Sequence, residues 1–322
     1  MLEWNSKHKK KNPNRKRGDL KQHRCDPTKK KRDNTTISIF FGNTTYASEK
    51  AKTYLLERND DMVLLAEHHL DKSGTIKLMN FFSKNKWMTT ASPARPTERS
   101  ENGTTAGVLV GIKNFLDNRA VSFATDPEGR LTSNAQLTGR CVTLSWVEVL
   151  ILAGYLEGGI GFAGSNFLFL SDLEYATRGG RTPFILCIDA NVPPDEWAAA
   201  PWGDTDFLDH MKAEIVMVRN SNIACTGARN IEGGSNIDYV IMSKVLLGGV
   251  EDCAADFEVL FAPHVGIVLK MAMDPKVVYT RVLQKPDMPQ GICKLDNKKF
   301  EEHRFQDKSK PNNIIEQLKE TP

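Results

Sequence analysis

The amino-acid sequence predicts a layered α/β sandwich, and two observations carry that reading. Between Thr36 and about Met271 short apolar runs alternate with turn signals, and the strand-type runs greatly outnumber the helical ones. The chain has 322 residues, 40% apolar and 26% charged, a balance that suits a globular protein with a sizeable core.

Taken in order, Ile37 to Phe41 reads as the first strand. Ser48 then offers a hydroxyl to a free first-turn amide and starts a helix through Asn59, with Ala51, Tyr54 and Leu55 at helical spacing. Met62 to Ala66 is apolar without a break, which predicts a strand buried on both faces. Further strand-type runs follow at Ala106 to Ile112, Ala120 to Ala124, Cys141 to Trp146, Val149 to Leu152, Phe184 to Ile188, Glu214 to Val218, Ile237 to Met242, Phe257 to Phe261 and Val265 to Met271. Asn166 to Thr177 carries Phe167, Leu170, Leu173 and Tyr175 or Ala176 for the buried face of an amphipathic helix.

Two polar segments flank the domain 36–271. Residues 1–35 hold 13 Lys and Arg against four acids (Glu3, Asp19, Asp26, Asp33), a net of +9, so the overall +3 leaves −6 for the rest. Lys9 to Lys11, Arg15 to Arg17 and Lys29 to Arg32 form basic clusters in a stretch too poor in apolar residues to pack, as in a disordered, solvated arm. Such an arm reads either as a nucleic-acid contact or nuclear-targeting signal, or as a solubilising tail. Residues 272–322 turn polar, with Pro275, Pro286, Pro289 and Pro311, and read as a mostly flexible tail.

The longest apolar stretch, around Val147 to Tyr155, is broken by Glu148 and is far shorter than the ~20 residues of a membrane-spanning helix, so no membrane segment is expected. The first residues lack the apolar core of a secretory leader. Six cysteines (Cys25, Cys141, Cys187, Cys225, Cys253, Cys293) include no CxxC pair, which argues against a zinc finger or disulfide framework. Reduced thiols in an intracellular compartment, the nucleus among them, are the simpler expectation. The Asn-x-Thr triplets at Asn34, Asn43 and Asn102 are accordingly read as unglycosylated.

A carboxylate beside apolar strand residues must be paired, hydrogen-bonded or metal-bound to offset its desolvation. Glu67 directly follows Met62 to Ala66, Asp189 follows Phe184 to Ile188 with Asn191 two residues on, Asp238 sits within Ser235 to Ile241, and His264 precedes Val265 to Leu269. Singly, each has a plain reading: a salt-bridged strand end for Glu67, a turn cap or a partner of Arg229 for Asp238, a structural histidine for His264. Alternation along a strand lets His69 but not His68 share a face with Glu67, so a histidine-rich zinc site is the alternative there. Trp197 and Trp202 read as loop anchors or as platforms for stacked bases. Arg178 and Arg181 flank Gly179-Gly180, the signature of an ordinary turn.

Four segments in order, Val63-Leu64-Leu65-Ala66-Glu67-His68-His69, Asp189-Ala190-Asn191, Ser235-Asn236-Ile237-Asp238-Tyr239-Val240-Ile241 and Pro263-His264-Val265-Gly266-Ile267-Val268-Leu269, resemble the motifs of the endonuclease/exonuclease/phosphatase superfamily over nearly all of 36–271. Weaker echoes are Asn43 after the first strand, Gly107 to Val110, Arg140 and Tyr155. The resemblance implies a four-layered α/β sandwich, with two mixed β-sheets packed face to face, helices outside and an active site at one sheet end. It also implies roles. Glu67 would bind Mg²⁺ or Mn²⁺, a hard cation suited to carboxylate oxygen that polarises the phosphoryl group. Asp189 would position or deprotonate the attacking water, Asn191 would hydrogen-bond the scissile phosphate, and Asn43 and Arg140 would support substrate binding. His264, oriented by Asp238, would set positive charge or a proton beside the transition state, with Tyr155 among the catalytic residues. Two places depart from the family pattern. Pro263 stands where members usually carry Asp, which removes one carboxylate and predicts lower metal affinity. Tyr155-Leu156-Glu157-Gly158 stands where members often have Tyr-x-Pro-Asn.

The function that follows is a Mg²⁺- or Mn²⁺-dependent endonuclease-like phosphodiesterase acting on nucleic acid, DNA before RNA, by activated water, with the basic arm adding sequence-independent affinity. Two alternatives stay open. One is a catalytically impaired relative that binds nucleic acid or protein through the same surface, which Pro263 favours. The other is a hydrolase of small phosphoesters, which needs a basic pocket that the sequence does not reveal.

Overall fold

A computed structural model of the chain describes residues 35–97, 103–121, 123, 136–219, 236–261 and 263–276. The arm up to Asn34, the tail beyond Lys276, Asn102, Ala124 and Arg229 lie outside the described residues. The first half runs β1 (Ile37–Asn43), α1 (Glu49–Glu57), β2 (Met62–Ala66), α2 (Lys72–Lys84), β3 (Trp87–Ser92), a ribbon of β4 (Arg95–Pro96) and β5 (Thr104–Thr105), then β6 (Val108–Lys113) and β7 (Asn118–Ala120). It continues with β8 (Leu137–Leu144), β9 (Val147–Tyr155), α3 (Ser165–Thr177) and β10 (Phe184–Asp189). A second ribbon of β11 (Pro201–Trp202) and β12 (Thr205–Asp206) precedes α4 (Phe207–His210), β13 (Ala213–Val216), β14 (Asp238–Ser243), β15 (Val250–Asp256) and β16 (Gly266–Met271).

Two six-stranded sheets result, ordered β15-β16-β1-β2-β6-β3 and β13-β14-β10-β9-β8-β7. Both are mixed: β1 runs parallel to β2, β9 runs parallel to β10, and their other pairs are antiparallel. Alternation along each strand builds the layers. Ile39, Phe41, Met62 and Leu64 of the first sheet meet Ile151, Ile185, Cys187 and Val240 of the second in the central core. On the outer faces Val63 and Leu65 pack under Leu55, Leu78 and Phe82 of α1 and α2, and Leu186 and Ile188 pack against Phe169 and Leu173 of α3. The order is therefore helix, sheet, sheet, helix, the four layers that the resemblance implies. Ser48 caps α1 by accepting from the Ala51 N–H at 3.1 Å, as anticipated.

Several elements differ from the sequence-based expectation. α2, capped by Asp71, and β3 were not anticipated. The run Phe257 to Phe261 is not a strand: the chain turns there, and Val259 and Phe261 drop into the core beneath α1. The strand that pairs with β16 is the more polar Val250–Asp256. β8 stops at Leu144, because Ser145 and Trp146 take positive φ of 47° and 69° and form the hairpin tip to β9. The strand expected from Ala120 lies earlier, at Asn118–Ala120. Beyond Met271 the backbone stays attached, with Pro275 bridged to Leu144 and Lys276 Nζ 2.8 Å from Asp117. Among the described residues no helix is long and apolar enough to cross a membrane.

The exit from β2 is fastened across the sheet. The His68 and His69 N–H groups donate to the Gly107 and Ala106 carbonyls at 3.2 and 3.1 Å. The His68 ring is fully buried; its Nδ1 accepts from the Leu70 N–H at 3.1 Å, so Nε2 carries the hydrogen that it donates to the Ser92 carbonyl at 3.1 Å. Gly107, at φ +90°, makes room for this ring: a Cβ there would lie 2.6 Å from His68 Cε1. Burial pushes the His68 pKa down to about 4. A base whose folded pKa is depressed contributes no penalty above its unfolded value near 6.5, and stability is lost as pH falls from there towards the folded value. Between pH 7 and pH 5 the His68 share of that loss is about 2 kcal/mol. Urea unfolding at the two pH values, wild type against His68→Gln, checks it: the variant lacks this share of the pH dependence.

Candidate active site

Topology gathers the predicted residues. Parallel pairing carries the C-terminal ends of β1, β2, β9 and β10 to one edge of the sandwich, and antiparallel pairing brings the start of β14 there. Asn43 lies opposite Ala66, and Asp189 lies opposite both Tyr155 and Asp238. The alternation that fills the core runs straight into the site: Phe41 is followed on the same face by Asn43, Ala153 by Tyr155 and Cys187 by Asp189, while Asp238 precedes Val240. Asn43, Asp189 and Asp238 are each only 1% exposed.

Asn43 is the hub. Its Nδ2 donates to Glu67 Oε2 at 2.7 Å and to Asp189 Oδ2 at 2.8 Å, and its Oδ1 accepts from the Thr45 N–H at 3.0 Å. Glu67 would point to the outer layer if β2 continued; instead its φ of 51° turns it to the edge. Asp238 Oδ2 accepts from His264 Nδ1 at 2.8 Å, which aims Nε2 at the site, 3.9 Å from Glu67 Oε2. This partner takes the place of the turn cap considered for Asp238, while Arg229 lies outside the described residues. Asp189 Oδ1 and Asp238 Oδ1 are buried without a hydrogen-bond partner among the described residues.

Burial and neighbouring charges act on Asp189, Asp238 and His264. Burial, then the Asp238 and Glu67 carboxylates, push the Asp189 pKa well above the ordinary Asp value, against the hydrogen bonds from the Asn191 backbone and Asn43. Burial likewise raises Asp238, opposed by its bond to His264. For His264, burial alone would lower the pKa, but the Asp238 bond and the Asp238 and Glu67 charges outweigh it and hold the ring above its ordinary value. Tyr155, buried near Glu67 and Asp189, is pushed up to about 12, so it is a neutral donor, and it bonds the Thr105 side chain.

Asn191 sits at φ 50° on the exit from β10, with Nδ2 donating to the Leu156 carbonyl at 2.9 Å. One amide hydrogen is thereby spent on the backbone, and the other has no partner among the described residues. Tyr239 holds this loop by donating to the Val192 carbonyl at 2.9 Å, and Trp197 donates to Tyr239. Trp197 is thus a buried anchor, and Trp202 packs on Phe167 and Phe207 at 5.2 and 5.0 Å.

Arg140 is not with the others. It lies in mid-strand and its guanidinium donates to Asn118 Oδ1 at 2.6 Å and the Thr89 carbonyl at 3.3 Å, so it joins the rims of the two sheets. Pro263 is exposed on the turn before His264. Sequence reasoning did not single out the β4–β5 ribbon, which lines the site with Thr104, Thr105 and Arg95. Arg95 Nη2 reaches Glu157 at 3.3 Å. No periodicity marks a ribbon of two-residue strands, so these side chains carry no signal until the fold places them.

No family model and no curated protein matches the sequence. Solved structures do. The AP endonuclease LMAP from Leishmania major matches at TM-score 0.55 and 13% identity, covering 74% of this chain and 88% of that one. The 3′-5′ exonuclease NExo from Neisseria meningitidis matches at 0.50 and 15%, covering 73% and 99%. An endonuclease/exonuclease/phosphatase family protein from Leptotrichia buccalis matches at 0.50 and 14%, covering 73% and 99%. The chain has the endonuclease/exonuclease/phosphatase fold.

The raised Asp189 pKa means that its ionised form costs stability above that value, and that the cost fades as pH falls through it. Asp189→Asn removes the charge and keeps an acceptor for Asn43. It is expected to raise the thermal midpoint at pH 7.5 by about 2–4 °C, the effect of roughly 1 kcal/mol in a domain of this size, with the gain shrinking towards pH 4. Calorimetric scans across that range measure it.

Proposed function

We propose that this protein is a divalent-metal-dependent phosphodiesterase that hydrolyses the backbone of nucleic acid, DNA before RNA. The observation that supports it is the convergence of Asn43, Glu67, Asp189, Asp238 and His264 on one sheet edge, with two buried carboxylates and an imidazole biased to its cationic form. LMAP and NExo, whose folds this chain shares, are an AP endonuclease and a 3′-5′ exonuclease, and NExo has been seen bound to product DNA hairpin.

The residues present fit a hard cation. Asp238 and Glu67 lie beside His264 and Asp189 joins them through Asn43, so negative charge exceeds positive in the cluster, and among the described residues Asp189 Oδ1 and Asp238 Oδ1 find no hydrogen-bond partner. Among the described residues no three His, Cys, Asp or Glu side chains are placed to close on one ion as a structural zinc site requires. Mg²⁺-type ions need less, taking one or two carboxylates together with water and substrate oxygens, and Glu67 on the rim offers the first of these. Bound there, such an ion would polarise the phosphoryl oxygens.

The chain's own groups supply the rest. Asn43 and the Asn191 N–H fix Asp189 while leaving Oδ1 for the attacking water, and the raised pKa makes this carboxylate a stronger base. Asp238 fixes the His264 ring so that Nε2–H can be given to the phosphoryl or departing oxygen as charge develops there. The free amide hydrogen of Asn191 and the neutral Tyr155 hydroxyl are further donors for phosphate oxygens. Pro263 favours a second reading, a binding module without turnover, since it offers neither ligand nor base.

Supercoiled plasmid, abasic duplex and single strands, each with Mg²⁺, Mn²⁺ or chelator, separate the two. Cleavage is expected only with metal and is expected to drop by about 10²-fold or more in Glu67→Gln and in His264→Ala. Binding without metal-dependent cleavage, or cleavage unchanged from wild type in both variants, rejects the hydrolase. The basic arm is proposed to add contacts to phosphate and to serve as a nuclear-targeting signal. Deleting residues 1–35 then weakens DNA binding and flattens the slope of log affinity against log salt, and an unchanged slope makes the arm a passive tail.

A further inference from the structure

Glu67 stands between two imidazoles, with His264 Nε2 3.9 Å from Oε2 and His69 Nε2 4.0 Å from Oε1. The two rings are not equivalent. His264 is turned by a carboxylate, which favours the cation. His69 Nδ1 lies 2.7 Å from the Thr104 carbonyl oxygen. A carbonyl only accepts, so Nδ1 carries a hydrogen and Nε2 is the ring nitrogen turned to Glu67. A backbone carbonyl on one ring nitrogen, with the other aimed at a carboxylate, is how proteins orient an imidazole for a metal.

The backbone is shaped for this. Glu67 and His69 both hold left-handed φ, at 51° and 53°, which residues with a Cβ keep only where their surroundings impose it. The surroundings are explicit: the His68 and His69 amides are tied to Gly107 and Ala106, and Thr104 Oγ1 donates to the His69 carbonyl at 2.7 Å. On the His264 side, Pro263 contributes no ligand.

We propose that His69 joins Glu67 as a metal ligand, making a mixed carboxylate–imidazole site that prefers nitrogen-accepting transition-metal ions to Mg²⁺. An imidazole adds affinity along the first-row series and little for Mg²⁺, whose preferred ligands are oxygens. The inference rests on the metal-dependent reading above and specifies which ion its site takes.

Co²⁺, followed by visible absorption and calorimetry, and Mg²⁺, followed by calorimetry, are titrated without substrate into wild type, Glu67→Gln, His69→Ala and His69→Gln. The glutamine amide can still donate to Thr104, so that variant keeps the loop if the alanine variant does not fold. Both His69 variants are expected to lose about tenfold or more of the Co²⁺ affinity and to shift the Co²⁺ absorption bands, with Mg²⁺ affinity changed by less than about twofold. Co²⁺ affinity and bands equal to wild type in both variants would overturn the proposal and leave His69 as an ion-pair partner of Glu67. If Glu67→Gln binds both ions as wild type does, the metal-site reading itself fails. If that variant loses both ions while the His69 variants keep Co²⁺, only the role of His69 fails.

Discussion

One amide group joins the two sheets at the site. The Asn43 Nδ2 hydrogens go to Glu67 at the end of β2 and to Asp189 at the end of β10, carboxylates that repel each other and belong to different sheets. Hydrogen bonds to charged acceptors are about twice as strong as neutral ones, and here they replace much of the water that burial removes. Everything else about the site presupposes this bridge. It requires β1 to end level with β2, β10 to end level with β9, and the sheets to face each other at the spacing set by Phe41, Ile151 and Cys187.

The arrangement is not one that stability alone would select. Asp189 and Asp238 occupy directly opposed positions on antiparallel strands, where like charges are unfavourable, and both are buried. Each keeps one oxygen unbonded among the described residues. A chain optimised only to fold would place amides or apolar groups there. His264 supplies only part of the positive charge that these carboxylates call for.

Most of the sandwich was legible in the sequence because its central strands are buried on both faces and therefore continuously apolar, as in Met62–Ala66 and Phe184–Asp189. What failed lies at the rims. β15 is an edge strand, so its residues need be only half apolar, and Glu251 and Asp252 hid it. Phe257 to Phe261 looked like a strand because Val259 and Phe261 are buried, but their burial comes from a turn folded under α1. α2 was masked by Ser73, Gly74 and Thr75 in its first turn, weak helix formers made tolerable by the Asp71 cap. In the site, order and strand context pointed to Glu67, Asp189, Asp238 and His264, which converge, and to Asn191, whose side chain bonds the Leu156 carbonyl, while Asn43 entered only as a weaker echo. Arg140 was misplaced because position before or within a strand does not say which way a long side chain reaches. His69 was paired with Glu67 through strand alternation, whereas in the structure two left-handed residues, Glu67 and His69, bring the pair together.

Because the core alternation ends in the site, strand length decides what the site contains. In β10 the residues Ile185, Cys187 and Asp189 share a face, and Leu186 and Ile188 share the other. Gaining or losing one residue between Phe184 and Asp189 would present the carboxylate to the layer under α3 and leave an aliphatic side chain beside Asn43. Side-chain identity at the edge can thus drift one residue at a time, as Pro263 illustrates, while the lengths of the strands behind it are locked in steps of two. Diversification of such a scaffold is channelled into substitution at the rim and length change in the connections, with the interior acting as a ruler.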